Sequence, residues 1–114
     1  MHEVSIAQSV VDLVEKEAKA AEAIKVIRVE LDIGSLSGVE TEALEFAWEM
    51  VVKNTLLENT TLLINYIMAR AHCKECGSEF DSENYFTPCP SCGSFSFEVF
   101  QGRELQVKAF NIET

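Results

Sequence analysis

Four cysteines in two matched pairs, Cys73-Lys-Glu-Cys76-Gly77 and Cys89-Pro-Ser-Cys92-Gly93, constrain this chain more than any other feature. Each C-x-x-C-G turn can aim two sulfurs at one point, and the glycine lets backbone N–H groups approach them. Four thiolates suit a closed, tetrahedral, structural Zn²⁺ site. The chain has 4 cysteines, so none is left over. The same sulfurs could instead hold iron in a rubredoxin-like centre, work as redox dithiols, or close as disulfides. Colour on purification and resistance to alkylation separate these cases. A closed site has no open position for a substrate, so the cysteines explain a fold before they explain an activity.

Length says what the metal is for. Residues 70–102 form a segment too short to fold alone, since chains below ~40 residues rarely bury enough surface. The apolar residues there (Phe80, Tyr85, Phe86, Phe95, Phe97, Val99, Phe100) are too few for an independent core; Tyr85, Phe86 and the alternation over 95–100 are expected to pack around the metal, and some of them could reach a partner. Zinc supplies ~10–16 kcal/mol of apparent folding energy to such modules. The metal stands in for a core.

The remaining composition excludes several classes. No apolar run approaches the ~18 residues of a membrane span, and no basic stretch with an apolar run opens the chain as a secretory signal would. A cytoplasmic location is therefore expected, where paired cysteines favour metal over disulfides. With 9 basic and 19 acidic residues the net charge is −10, which opposes binding to a phosphate backbone. A nucleic-acid-binding zinc ribbon is disfavoured on that ground.

Outside the cysteine segment, helical and strand periods alternate. Over residues 4–23, Ala7, Val10, Val11, Val14, Ala18 and Ala21 recur at helical spacing. Residues 26–33 switch to period two, with Ile27, Val29, Leu31 and Ile33 inward, and Gly34 ends the strand. A loop at 35–38 leads to a second helix over 39–57, whose buried stripe is Leu44, Ala47, Trp48 and Val51. Phe46 and Met50 fall off that stripe and, if exposed, could dock a protein. Residues 62–68 read as a second strand and Leu105 with Val107 as a third, slipping phase to Phe110 and Ile112 at a possible bulge. The expected fold is α+β: two helices on a three-stranded mixed sheet, with an inserted zinc-ribbon-like module. The expected division is an α/β domain of residues 1–69 plus 103–114 and a zinc module of residues 70–102, with hinges near Ala69-Arg70 and Gln101-Gly102. Such a module could exchange between chains, so a monomer or a homodimer is compatible with the sequence.

The opening Met1-His2-Glu3 has two readings. One is an exposed imidazole on an idle terminus. The other is a chelate: the His2 imidazole, the Met1 α-amine and the deprotonated amides of residues 2 and 3 close small fused rings. Such a nitrogen-rich, roughly planar set suits Ni²⁺ or Cu²⁺. The bulk of His2 should keep Met1 in place. His72, the other histidine, adjoins Cys73 and is a candidate to hydrogen-bond a metal-bound sulfur or to link the site to pH.

Together these residues resemble the HypA/HybF family of hydrogenase maturation (nickel incorporation) proteins. The resemblance runs the whole length: Met1-His2-Glu3, the strand ending Asp32-Ile33-Gly34, the Phe46-Ala47-Trp48 helix, both cysteine knuckles, and Gly102-Arg103-Glu104-Leu105 opening the last strand. It implies a metallochaperone, not an enzyme. Zinc would sit in Cys73, Cys76, Cys89 and Cys92. Transient nickel would sit at His2, with Met1 and Glu3 giving backbone nitrogens or contacts. Partners would be a HypB-type GTPase and the [NiFe]-hydrogenase large-subunit precursor, with urease maturation proteins in some organisms. An acidic residue near nickel in some members falls on Glu40. The spacing Ser37-x-x-Glu40 also reads as a capping box, which accounts for Glu40 without a metal.

Overall fold

The computed structural model describes residues 2–84 and 86–114, so readings that involve Met1 or Tyr85 lie outside the described residues. In chain order the elements are α1 (Glu3–Ala20), β1 (Lys25–Gly34), α2 (Thr41–Val51), β2 (Thr61–Ile67), β3 (Arg70–Cys73), β4 (Glu79–Asp81), β5 (Phe97–Gln101) and β6 (Leu105–Glu113). They form two three-stranded sheets, ordered β2-β1-β6 and β4-β3-β5.

The first sheet is mixed, as the order of elements implied. Ile24 N–H donates to Glu113 and Gly34 N–H to Glu104, so β1 and β6 run antiparallel. Val26 binds through its amide to Leu56 and through its carbonyl to the Thr60 hydroxyl, while Ser35 N–H donates to Ile67. Early residues meet early and late meet late, which makes β1 and β2 parallel. A parallel pair needs a long crossover, and α2 supplies it.

The chain divides into two compact units, one of Met1–Leu31, Val39–Asn65 and Gln106–Thr114, the other of Asp32–Gly38 and Tyr66–Leu105. In the first, α1 packs on α2. Ala7, Val11, Val14 and Ala18 of α1 are buried with Leu44, Ala47 and Trp48 of α2 and with Val29 and Leu31 of β1. The opposite face of β1 carries Glu30. Its carboxylate accepts from Asn65 Nδ2 at 2.7 Å and pairs with Arg28 at 3.3 Å and Lys108 at 3.6 Å.

Several boundaries differ from the periodic reading. Strand β1 changes phase at its start: Val26 is fully buried and Ile27 is 45% exposed, because the loop before β2 holds Val26 by both backbone groups. Helix α1 ends at Ala20, leaving Ala21 exposed. Glu22 adopts φ 59°, its N–H donates to Lys19 at 3.0 Å, and Ala23 N–H donates to Ala18 at 2.9 Å. This is a Schellman stop with a glutamate where glycine is usual. Helix α2 ends at Val51, not near residue 57. Asn54 and Asn59 turn left-handed, and the Thr55 hydroxyl bonds to Val52 and Leu57. The Thr55 hydroxyl thereby captures the backbone in a turn.

The capping box is also overturned. Gly38 has φ 82°, α2 starts at Thr41, and Glu40 itself is the N-cap residue, with no cap bond from its side chain.

In the second unit, β3 pairs antiparallel with both β4 and β5. Ala71, Cys73, Phe80, Cys89 and Val99 make its core, with Leu36 and Phe97 packed against it. Phe80 and Phe97 meet edge to face at 5.6 Å. Phe86, Phe95 and Phe100 are more than half exposed, so only part of the expected aromatic set packs there. Within this unit the backbones of Gly34, Gly102 and Ala69 touch. A Cβ on Gly34 would lie 2.0 Å from the Gly102 carbonyl oxygen, and one on Gly102 2.4 Å from Ala69.

Candidate metal centres

The two cysteine knuckles repeat one backbone design. Cys73 N–H donates to Ser78 and Gly77 N–H to Cys73; in the second knuckle, Cys89 N–H donates to Ser94 and Gly93 N–H to Cys89. Gly77 and Gly93 have φ of 78° and 75°, which a residue without Cβ adopts freely. Each knuckle thus buries its first cysteine and exposes its second.

The four sulfurs converge within 4.8 Å of one another. Cys73 and Cys92 sulfurs lie 3.6 Å apart, as do those of Cys76 and Cys89. A disulfide needs about 2.05 Å, whereas a tetrahedron with metal–sulfur bonds of about 2.3 Å has edges of about 3.8 Å. The donor set and its geometry therefore fit one tetrahedral, thiolate-bound ion. Four thiols this close do not ionise alike. The Ser78 side chain and backbone draw Cys76 down to about 6. The Ser94 backbone lowers Cys92, but the Cys73, Cys76 and Cys89 sulfurs around it prevail and push it up to about 12. A bound cation removes that conflict by replacing every thiol proton.

His72 is exposed, and strand alternation turns it to the face opposite Cys73. Its cross-strand neighbours are Glu79 on β4 and Glu98 on β5. Among the described residues, the cluster of metal donors contains the four cysteines and not His72.

The second candidate centre lies at the amino end. His2 is exposed at the N-cap of α1, where its carbonyl accepts from Ile6 N–H at 3.1 Å. Glu3 opens the helix, and its Oε2 accepts from Glu40 N–H at 3.1 Å. That bond holds the Glu3 carboxyl below the usual glutamate range. His2, Glu3 and Glu40 therefore stand together although 37 residues separate the last two. Residue spacing had no means of showing this contact; the opening of α2 by an acidic residue was the available signal. Beside it a groove of about 510 Å³ runs between the start of α1 and α2, lined by His2, Glu3, Val4, Phe46, Ala47 and Met50. Phe46 and Met50 are indeed exposed, at 71% and 49%. No helix among the described residues is long and apolar enough to cross a membrane.

Comparison with known proteins places the chain among named relatives. A family model described as hydrogenase/urease nickel incorporation, metallochaperone, hypA, matches residues 1–112. A hydrogenase maturation factor HypA from Geobacter metallireducens is 45% identical over 99% of this chain and 100% of its own length. A protein of the same description from Prosthecochloris aestuarii is 40% identical over the same shares. Among solved structures, the solution structure of the nickel metallochaperone HypA from Helicobacter pylori aligns with a TM-score of 0.68 and 27% identity. It covers 99% of this chain and 98% of that one.

Proposed function

The chain belongs to the HypA family of hydrogenase maturation metallochaperones, and from that premise we propose that it carries Ni²⁺ at its amino terminus while zinc holds its cysteine module. The observation that carries the reading is His2 at the head of a helix, exposed, with two acidic residues beside it. Its imidazole would combine with the Met1 amine and the amides of residues 2 and 3. Those amides belong to the first turn, where helical N–H groups have no partner four residues back. Giving them to a metal breaks no helical hydrogen bond. Amide nitrogen must lose its proton to bind, so affinity falls with pH.

Zinc would be held by Cys73, Cys76, Cys89 and Cys92, and supplies cross-linking rather than reactivity. The two centres differ in donor chemistry, sulfur against nitrogen, which sorts the two metals. Nickel-binding residues would then lie within an α/β domain of residues 1–69 plus 103–114, and zinc within a module of residues 70–102. The cargo would pass in the cytoplasm to the [NiFe]-hydrogenase large-subunit precursor with a HypB-type GTPase, and in some settings toward urease. Release needs only an incoming donor and reprotonation of the His2 or amide nitrogens, so no covalent chemistry on a substrate is involved.

The test is a nickel titration of zinc-loaded protein without added amino-terminal residues, beside its His2→Ala variant, with metal analysis. Binding by the wild type alone, with zinc content and helicity equal in both, is the expected result. Equal binding by both proteins would move nickel away from the terminus.

A further inference from the structure

Trp48 is 4% exposed, and its indole N–H is the one buried side-chain donor without an acceptor among the described residues. Burying an unmet donor is costly, so such an atom calls for an explanation. Phenylalanine would fill the buried stripe of α2 without that cost. The indole is also a wall of a cavity of about 400 Å³ between the end of α2 and residues 58–60. Unmet donor and cavity therefore coincide.

The lining of this cavity carries charges of both signs. Glu49 and Lys53 stand one helical turn apart, in the order that favours an ion pair. Neither forms one among the described residues. Glu58 gives one carboxylate oxygen to the Asn54 N–H at 3.0 Å and keeps the other. The Thr60 hydroxyl donates to the Val26 carbonyl, so toward a ligand it can only accept.

A simple anion would meet Trp48 and Lys53 but face two carboxylates. A simple cation would meet the carboxylates and leave the indole unmet. A dipolar ion answers both sets, and the buried Val52 in the same wall suits an aliphatic chain. We propose that this cavity binds a small free α-amino acid, its carboxylate on the Trp48 N–H and the Lys53 ammonium, its own ammonium on Glu49 and Glu58. The indole nitrogen is closed to solvent, so the ligand reaches it through a shift of the ring or of residues 58–60. The site lies within the first unit and needs no nickel.

The chain has 1 tryptophan, so its fluorescence and its indole N–H resonance report this place alone. The experiment titrates zinc-loaded protein with three probes: L-leucine, isocaproate, which lacks the ammonium, and isoamylamine, which lacks the carboxylate. L-Leucine should saturate both signals and move the indole resonance. Each half-analogue should bind about tenfold more weakly, the order of one charge-assisted hydrogen bond. Lys53→Gln and Glu49→Gln should each weaken L-leucine by about tenfold for the same reason, with urea midpoints unchanged. Trp48→Phe keeps a ring without the N–H and should abolish binding measured by calorimetry.

An indole resonance unmoved by L-leucine up to its solubility would overturn the proposal and leave bound water as the acceptor. Equal binding of isocaproate would make the place an anion site, and equal binding of isoamylamine a cation site; either result overturns it. So would affinity unchanged in both Lys53→Gln and Glu49→Gln, which would mark an adventitious contact only. Should Trp48→Phe fail to fold, the two charge variants and the analogues still decide.

Discussion

Glu30 shows how a single side chain orders an open sheet face. It stands on β1 between neighbours on both other strands, accepting from Asn65 and pairing with Lys108 and Arg28. The Asn65 hydrogen bond, aided by the two cations, holds its carboxyl below the ordinary value of 4.5. A group whose pKa is lower folded than unfolded stabilises the fold fully above the unfolded value. That contribution is lost as pH falls through the folded one. Urea midpoints should therefore be steady from neutrality to about pH 5 and drop below about pH 4.5. In Glu30→Gln the decline should be shallower, with Glu3 still contributing in both proteins. Equal pH slopes for the two proteins would show that Glu30 is not part of the acid response.

Among the elements, the end of α1 is the clearest case of a local rule met by an unexpected residue. Glu22 sits at φ 59° in a Schellman stop, a conformation that costs a side-chain-bearing residue roughly 1–2 kcal/mol. Glu22→Gly should relieve that strain, offset in part by the greater freedom glycine gives the unfolded chain. A net gain of about 0.5–1 kcal/mol in urea unfolding is expected; a loss would show that the glutamate side chain is needed there. The same position explains why the helix seemed longer in sequence: nothing at Glu22 or Ala23 signals a break. Both helices, and strands β1, β2 and β6, were legible because a helical or two-residue period runs through enough of each, despite the phase changes in β1 and β6. Strands β3, β4 and β5 have 4, 3 and 5 residues, too few to display a period. Helix α2 was overextended because Leu56 and Leu57 prolong its apolar content after Asn54 and Thr55 have turned the chain. The cysteine centre was readable since its ligands come in local pairs, whereas the Glu3–Glu40 contact is made only in three dimensions.

At the scale of the molecule, the second unit is expected to depend on a metal held by its four thiolates. Its core consists of a few side chains, two of them cysteines. Cys76→Ser should abolish stoichiometric metal content and collapse the amide dispersion of residues 70–101, while α1, α2 and the first sheet remain folded. Metal analysis with residue-resolved spectra checks this, and a variant that keeps its full metal would refute four-thiolate binding.

The pairing of β1 with β6 has a consequence for how the protein is made. Synthesis delivers β1 and β2 early, but β6 follows the entire thiolate unit, so one flank of β1 stays unpaired meanwhile. At roughly 5–20 residues per second that interval lasts some seconds. An ion captured by the four cysteines in that time draws the intervening chain together and lowers the entropy cost of bringing β6 back to β1. A metal bound by the four cysteines would in this way shorten the time for which an open strand edge is available for aggregation.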